Sequence, residues 1–335
     1  MENITIIGAG SWGCALSRIL GDNGHNVLLY DIDEKTVNEI NQYHTNSNKL
    51  FDAILPNNVK ATLSLDEAIS KNDYVLLVVP TAVVRNVLKQ INGVIKTKKV
   101  FINASKGIEP NTFKRVSEIV KEEINPQYYG GFVALTGPSH AEEVVKQNLT
   151  LVAAASEDIE LAKKVQVMFS NQQYFRVYTL SDLIGAELGG ALKNIYAIAA
   201  GIVDGIGYGI NARAGIITRA LVEMKRLGAV FGAKEETMNG LTGIGDLIVT
   251  CTSNLSRNYQ AGYMIGNGDD LDEALSKMTM VVEGARTCIS AYQAARKYNI
   301  YTPVIDAVYE VIYNHKQPLD VIKTLMTTSL KEENE

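Results

Sequence analysis

Ile4-Thr5-Ile6-Ile7-Gly8-Ala9-Gly10-Ser11-Trp12-Gly13 is the stretch whose reading decides the fold. Its first four residues make a short, β-branched, apolar run of the kind that fills a buried strand, and a helical pattern, Cys14–Asn23, follows the last glycine. A G-x-G-x-x-G triplet alone is a weak signal, because glycine-rich turns are common. Between a strand and a helix it acquires a mechanism. Gly8 permits the tight turn, Gly10 lets the backbone approach a pyrophosphate, and Gly13 lets the helix sit against the strand. Phosphates then meet free N–H groups at the helix N-terminus. A second strand, Val27–Tyr30, leads to Asp31, a carboxylate placed to accept from ribose hydroxyls. These residues predict a dinucleotide site.

The alternation continues downstream. Tyr74–Val79, Val100–Asn103, Phe132–Leu135, Leu151–Ala154 and Tyr174–Val177 are short strand-like runs, and Thr36–Tyr43 is an amphipathic stretch between two of them. Strands alternating with helices predict a parallel sheet covered on both faces. After about Leu180 helical segments take over, at Ile216–Gly228, Asp272–Met278, Cys288–Tyr298 and Asp306–Tyr313. The expected fold class is α/β. An N-terminal doubly wound, Rossmann-like parallel-sheet domain spans residues 1–180 and binds the dinucleotide; an all-α domain over residues 181–335 serves substrate and catalysis.

With 335 residues, 46% of them hydrophobic, the chain can bury the cores of two domains. A net charge of −5 argues against a nucleic-acid partner, so an anionic ligand has to be held by local groups. Cys14, Cys251 and Cys288 form no C-x-x-C pair and have no metal-ligand spacing; no metal is expected, and they read as buried reduced thiols. The N-terminus leads straight into the first strand, and no apolar stretch reaches the length of a membrane span. A cytoplasmic protein without membrane insertion is expected.

A second stretch, Gly189–Asn211, carries the chemistry. Its one lysine, Lys193, has Ala186, Gly189, Gly190, Ala197 and Ala200 as helical neighbours, nearly all without bulk. The bland reading is a lysine snorkelling out of a tightly packed helix. The sharper one is a desolvated ammonium able to exchange a proton near neutral pH.

The run from Gly190-Ala191-Leu192-Lys193-Asn194 to Asp204-Gly205-Ile206-Gly207-Tyr208-Gly209-Ile210-Asn211 resembles the signature of NAD(P)-dependent glycerol-3-phosphate dehydrogenases, bacterial type. The Gly8–Gly13 loop, Ser105-Lys106-Gly107, Gly137-Pro138-Ser139, Gly243-Ile244-Gly245-Asp246, Ser256-Arg257-Asn258 and Val281-Val282-Glu283-Gly284 extend the resemblance over nearly the whole chain. Tyr196 departs from the usual aliphatic residue and is expected on the packing side. The resemblance implies interconversion of dihydroxyacetone phosphate and glycerol 3-phosphate by hydride transfer with NAD(P)H, supplying glycerol 3-phosphate for glycerophospholipid synthesis. It gives the matching lysine, Lys193, the role of proton donor. It also lines the cofactor site with Ser11, Trp12, Lys106, Ala141, Arg257, Val281 and Glu283.

Lys106 follows a strand end, on the rim of an open sheet that faces the ligand, and as a cationic neighbour it would lower the pKa of Lys193. Asp246 and Thr250, one helical turn apart, are placed to hold Lys193 and the substrate oxygens; the idle alternative makes Asp246 an N-cap after Gly245. With Asn194 these four form the candidate catalytic set. Ser256, Arg257 and Asn258 offer a hydroxyl, a guanidinium fork and an amide to a phosphate. Gly137 and Ser139 end the strand Phe132–Leu135, Ser139 either touching substrate or capping the next helix, and His140 reads as a loop histidine. Together with Lys106, Lys193 and Asp246 these are the candidate substrate ligands. The cofactor set is Gly8, Gly10, Ser11, Trp12, Gly13 and Asp31, with Lys106, Ala141, Arg257, Val281 and Glu283.

Asp31, Asp33 and Glu34 put three carboxylates within four positions, which repels a 2′-phosphate; NAD(H) is the expected cofactor and NADP(H) a possible one. Alternatively Asp33 and Glu34 only favour the next helix start, leaving Asp31 to discriminate. The rival enzyme is a two-domain reductase of a keto or hydroxy acid, of ketopantoate reductase or β-hydroxyacid dehydrogenase type. A dinucleotide-sensing module without turnover is the rival from another class. The expected partners are a small phosphorylated substrate and a second copy in a homodimer.

Overall fold

Four of the five residues of β1 (Asn3–Ile7) are buried, as its apolar run requires. The computed structural model describes residues 1–50, 53–110, 112–278, 282–330 and 332–333. Strand β1 lies inside an eight-stranded sheet with β2 (Asn26–Tyr30), β3 (Val59–Thr62), β4 (Tyr74–Leu77), β5 (Lys99–Asn103), β6 (Tyr129–Thr136), β7 (Thr150–Ala155) and β8 (Phe175–Leu180), in the order β3-β2-β1-β4-β5-β6-β7-β8. The chain runs from β1 outward to β2 and β3, then restarts at β4 on the other side of β1. That reversal opens a crevice at the C-terminal ends of β1 and β4, where Ile7 pairs with both Tyr30 and Leu77.

Two features differ from the expected sheet. Strand β7 runs antiparallel to β6, with Ala134 opposite Ala155. Between them stands only the one-turn helix Ala141–Val144, so the chain re-enters the sheet from the rim it has just left. Strand β3, Val59-Lys60-Ala61-Thr62, alternates apolar and polar residues over only four positions, too short a run to stand out in the sequence, and exists as an edge paired with β2. Helices begin earlier than their apolar periodicity does, at Ser11, Glu34, Ile210, Glu283 and Pro303, because first-turn positions are chosen for backbone geometry and charge and need not bury side chains.

After β8 the chain is helical. The helix Leu183–Ile206 has every residue from Gly185 to Val203 buried, which makes it the axis of this half. Small residues let its neighbours close in. A side chain at Gly201 would overlap the Tyr259 carbonyl oxygen, and one at Gly262 the Ile198 carbonyl oxygen, so the helix Arg257–Gly266 packs backbone to backbone on it. Tyr196 is wholly buried on the packing side, its hydroxyl 3.4 Å from Glu223. Among the described residues no helix is long and apolar enough to cross a membrane.

Candidate active site

The glycine loop is built as its sequence demands. Gly8 has a φ of +108°, and the place of a Gly13 side chain is filled by the Gly8 carbonyl, so helix Ser11–Asp22 sits tightly on the turn. No side chain caps this helix, leaving its first-turn N–H groups to a ligand. Nothing stands within 4 Å of a would-be Gly10 side chain, and the buried Trp12 Nε1 has no partner. An open cradle with orphaned donors fits a dinucleotide pyrophosphate. Asp31 is tied to the same loop: its Oδ2 accepts from Ala9 N at 2.7 Å and its Oδ1 from Asp33 N at 3.0 Å. Asp33 turns away to cap helix Glu34–Tyr43, accepting from Lys35 N and Thr36 Oγ1. Of the acidic residues after β2, Asp31 is thus the one held against the glycine loop.

The loop opens into a cleft of about 380 Å³ between the sheet and the helical half. Gly10, Ser11, Trp12, Lys106, Ser139, Ala141, Lys193, Asn194, Thr250, Ser256, Arg257, Asn258 and Glu283 all line it. Gly8, Gly13, Asp31, Gly137 and Asp246 stand behind that wall, and Val281 lies outside the described residues. Sequence reasoning did not place Lys49, Val78, Val79, Pro80, Ala104, Ser105, Glu142 and Leu255 in the site. Val78 to Pro80 follow β4 at the ligand rim and were open to the same topological argument; Lys49 had no local signal.

At the centre, Lys193 Nζ donates to Asp246 Oδ1 at 2.6 Å and to Thr250 Oγ1 at 2.8 Å. Lys106 Nζ reaches Asp246 Oδ2 at 3.5 Å, Gly137 O at 3.3 Å and Ser139 Oγ at 3.4 Å. Asp246 is fully buried between the two ammonium groups. Burial brings the Lys193 ammonium down to about 8; Asp246 pulls the other way, and Lys106 adds to the fall. The cap position before Asp246 is Gly245, after a π-helical turn over Leu241–Gly245, which frees the Asp246 carboxylate for the lysines. Nor does Ser139 cap: His140 occupies that position, and the Ser139 hydroxyl donates to Gly137 O. His140 is in the loop ahead of helix Ala141–Val144, where it lines the cleft, and burial, then Lys106 and Lys193, lower its proton affinity.

Asn194 bridges the two halves, its amide donating to Lys106 O at 3.4 Å and its Oδ1 accepting from Asn258 Nδ2 at 3.0 Å. Asn258 Oδ1 in turn accepts from Gly284 N at 2.8 Å. Ser256 caps helix Arg257–Gly266, accepting from Tyr259 N. Arg257 is largely buried, which lowers its proton affinity, and among the described residues no carboxylate pairs with its guanidinium. Glu142 and Glu283, which line the same cleft, oppose that fall without forming an ion pair with Arg257. Glu283 closes the far side, accepting from Thr81 Oγ1 at 2.8 Å and Thr81 N at 3.2 Å. Two largely buried cationic side chains, Lys193 and Arg257, therefore share one cleft with the uncapped helix start of the glycine loop.

Family models for the NAD-dependent glycerol-3-phosphate dehydrogenase N-terminus and C-terminus match residues 3–162 and 182–323. A glycerol-3-phosphate dehydrogenase [NAD(P)+] of an Exiguobacterium species is 48% identical over 335 residues, covering 100% of this chain and 98% of the relative. That of Staphylococcus carnosus is 49% identical over 334 residues, covering 99% and 100%. Among solved structures, glycerol-3-phosphate dehydrogenase from Coxiella burnetii superposes with a TM-score of 0.92 at 34% identity, covering 98% of this chain and 99% of that one.

Proposed function

The chain belongs to the NAD-dependent glycerol-3-phosphate dehydrogenase family, and on that premise we propose how its residues interconvert dihydroxyacetone phosphate and glycerol 3-phosphate. The observation that carries the reading is the buried Lys193–Asp246–Thr250 cluster facing the unpaired Arg257 across one cleft. The dinucleotide, when bound, supplies or accepts the hydride. Lys193 holds a proton at Nζ for the carbonyl oxygen in reduction and takes it back in oxidation. Asp246 and Thr250 fix the direction of that Nζ, and Lys106 adds positive charge beside it. Arg257, Asn258 and Ser256 receive the substrate phosphate, with Gly137 and Ser139 holding Lys106 on the opposite wall. Asn194 positions Asn258 and the Lys106 backbone.

Gly8, Gly10, Ser11, Trp12, Gly13 and Asp31 hold the dinucleotide, with Ala141, Lys106, Arg257, Val281 and Glu283 along its length. We assign residues 1–180 to the dinucleotide-binding domain and residues 181–335 to the substrate domain. The reading extends to a cytoplasmic homodimer that supplies glycerol 3-phosphate for phospholipid synthesis. The test mixes purified protein with NADH and dihydroxyacetone phosphate and follows the loss of NADH absorbance. Oxidation with dihydroxyacetone phosphate, and none with pyruvate or ketopantoate, is expected; faster turnover of either acid overturns the reading.

A further inference from the structure

A second cavity, of about 410 Å³, lies away from the glycine loop, between the segment that follows Lys106 and the helical half. One wall is aromatic. Phe113 stacks on Phe231 with centroids 4.5 Å apart, and Tyr298 meets Phe231 edge-on at 5.5 Å. The other wall is charged, with Lys114, Arg115 and Lys297 against a single carboxylate, Glu118. Lys114 and Arg115 already have carboxylate partners in Glu122 and in Glu118 and Glu187. Lys297 has none among the described residues; its ammonium stands 5.3 Å from the Tyr298 ring centroid.

Phe113 supplies an independent sign. Its φ of +58° is left-handed, a backbone conformation that a bulky aromatic residue rarely adopts, and in that conformation its ring lines the cavity. The cavity also touches both elements that bear the central lysines. Phe113 belongs to the segment that begins with Lys106, and Leu188 belongs to helix Leu183–Ile206, which carries Lys193. Glu187, beside Leu188, accepts from Arg115 Nη1 at 3.2 Å, Ser117 N at 2.9 Å and Ser117 Oγ at 2.5 Å, which ties the cavity wall to that helix.

We propose that this cavity is a second ligand site, for a small amphipathic anion whose apolar body lies on Phe113 and Phe231 and whose charged head meets Lys297, and that occupancy alters the Lys106–Lys193 site. The aromatic wall selects a planar or aliphatic body, and the cation without a carboxylate partner selects the head. Neither feature serves the first cleft.

The probe is 8-anilino-1-naphthalenesulfonate, titrated by fluorescence into the full chain at saturating NAD⁺, so that the dinucleotide cleft is filled. One saturable site that survives NAD⁺ is expected. Lys297→Glu, on the surface, and Phe113→Gly, which suits a φ of +58°, should each weaken probe binding by about tenfold or more, the scale of a lost anchor. Complete displacement by NAD⁺, or unaltered binding by both variants, overturns the site. Saturating probe should also shift the KM for dihydroxyacetone phosphate by about fivefold, within the usual range of coupling between sites. Unchanged KM and kcat overturn the coupling. The binding arm needs no turnover, so its failure is distinct from failure of the dehydrogenase reading.

Discussion

Lys193 and Asp246 form a buried ion pair of 2.6 Å in which the carboxylate is shared with a second lysine, Lys106, at 3.5 Å. Burial makes Lys193 ready to give up a proton; the shared carboxylate opposes this, and the Lys106 ammonium on its other oxygen adds to it.

The pH dependence follows with a definite sign. Lys193 titrates at about 8, and reduction of dihydroxyacetone phosphate needs it protonated. The reductive kcat should therefore fall as pH rises through about 8, while the oxidative kcat rises through the same value. Profiles of both directions check this; a reductive rate that climbs across that interval rules out Lys193 as the acid. Lys193→Ala should cost about 10²–10⁴ in kcat with NADH affinity kept.

Arg257→Ala should raise the KM for dihydroxyacetone phosphate, by about 1.5–3 kcal/mol for a hydrogen bond to a charged group. Competition by inorganic phosphate is the check. If phosphate competes as well against the variant as against the parent, the anchor lies elsewhere.

On the proposed function Asp31 is the carboxylate that discriminates between cofactors, Asp33 being committed to its helix cap. NAD(H) should be preferred over NADP(H) by at least about tenfold in kcat/KM, since roughly 1.4 kcal/mol suffices. Comparable kinetics with NADPH would show that Asp31 does not read the ribose.

Gly262→Ala inserts a methyl group where the Ile198 carbonyl already sits. Overpacking of this kind costs about 1–3 kcal/mol. The helix that begins at Arg257 must shift with it, so thermal unfolding should come at lower temperature and the KM for substrate should rise. A parent-like melting curve would mean that the helices are free to separate.

Glu223 is buried in the helical half, where it accepts from Val304 N at 2.6 Å and Ile305 N at 3.2 Å. Glu223→Ala strands both N–H groups, at about 1–3 kcal/mol apiece. Burial lifts its acid to about 8, above the ordinary value of 4.5. Its linked contribution to stability is accordingly full below 4.5 and disappears as pH rises to about 8. Denaturant titrations across that range should show a slope that Glu223→Gln removes.

The glycine loop, Asp31, the strand alternation and the change to helices near Leu180 were legible in the chain because each is a local pattern set by turn geometry, β-branching or periodicity. Candidate members of the site could be named for the same reason, as lysines, an aspartate and an arginine in motifs. Their arrangement could not be read that way. Lys193 meets Asp246 across 53 residues, Lys106 meets Asp246 across 140, and Thr81 meets Glu283 across 202. Packing of helix on helix brings Lys193 to Asp246, and packing of the helical half against the sheet brings Lys106 to Asp246 and Thr81 to Glu283. The antiparallel β7, the edge strand β3 and the cavity at Phe113 are likewise absent from local pattern, since each depends on what the chain finds beside it once folded. Identity and period of residues dictated the elements; burial, which strips water from Lys193 and leaves Asp246 between two cations, created the chemistry.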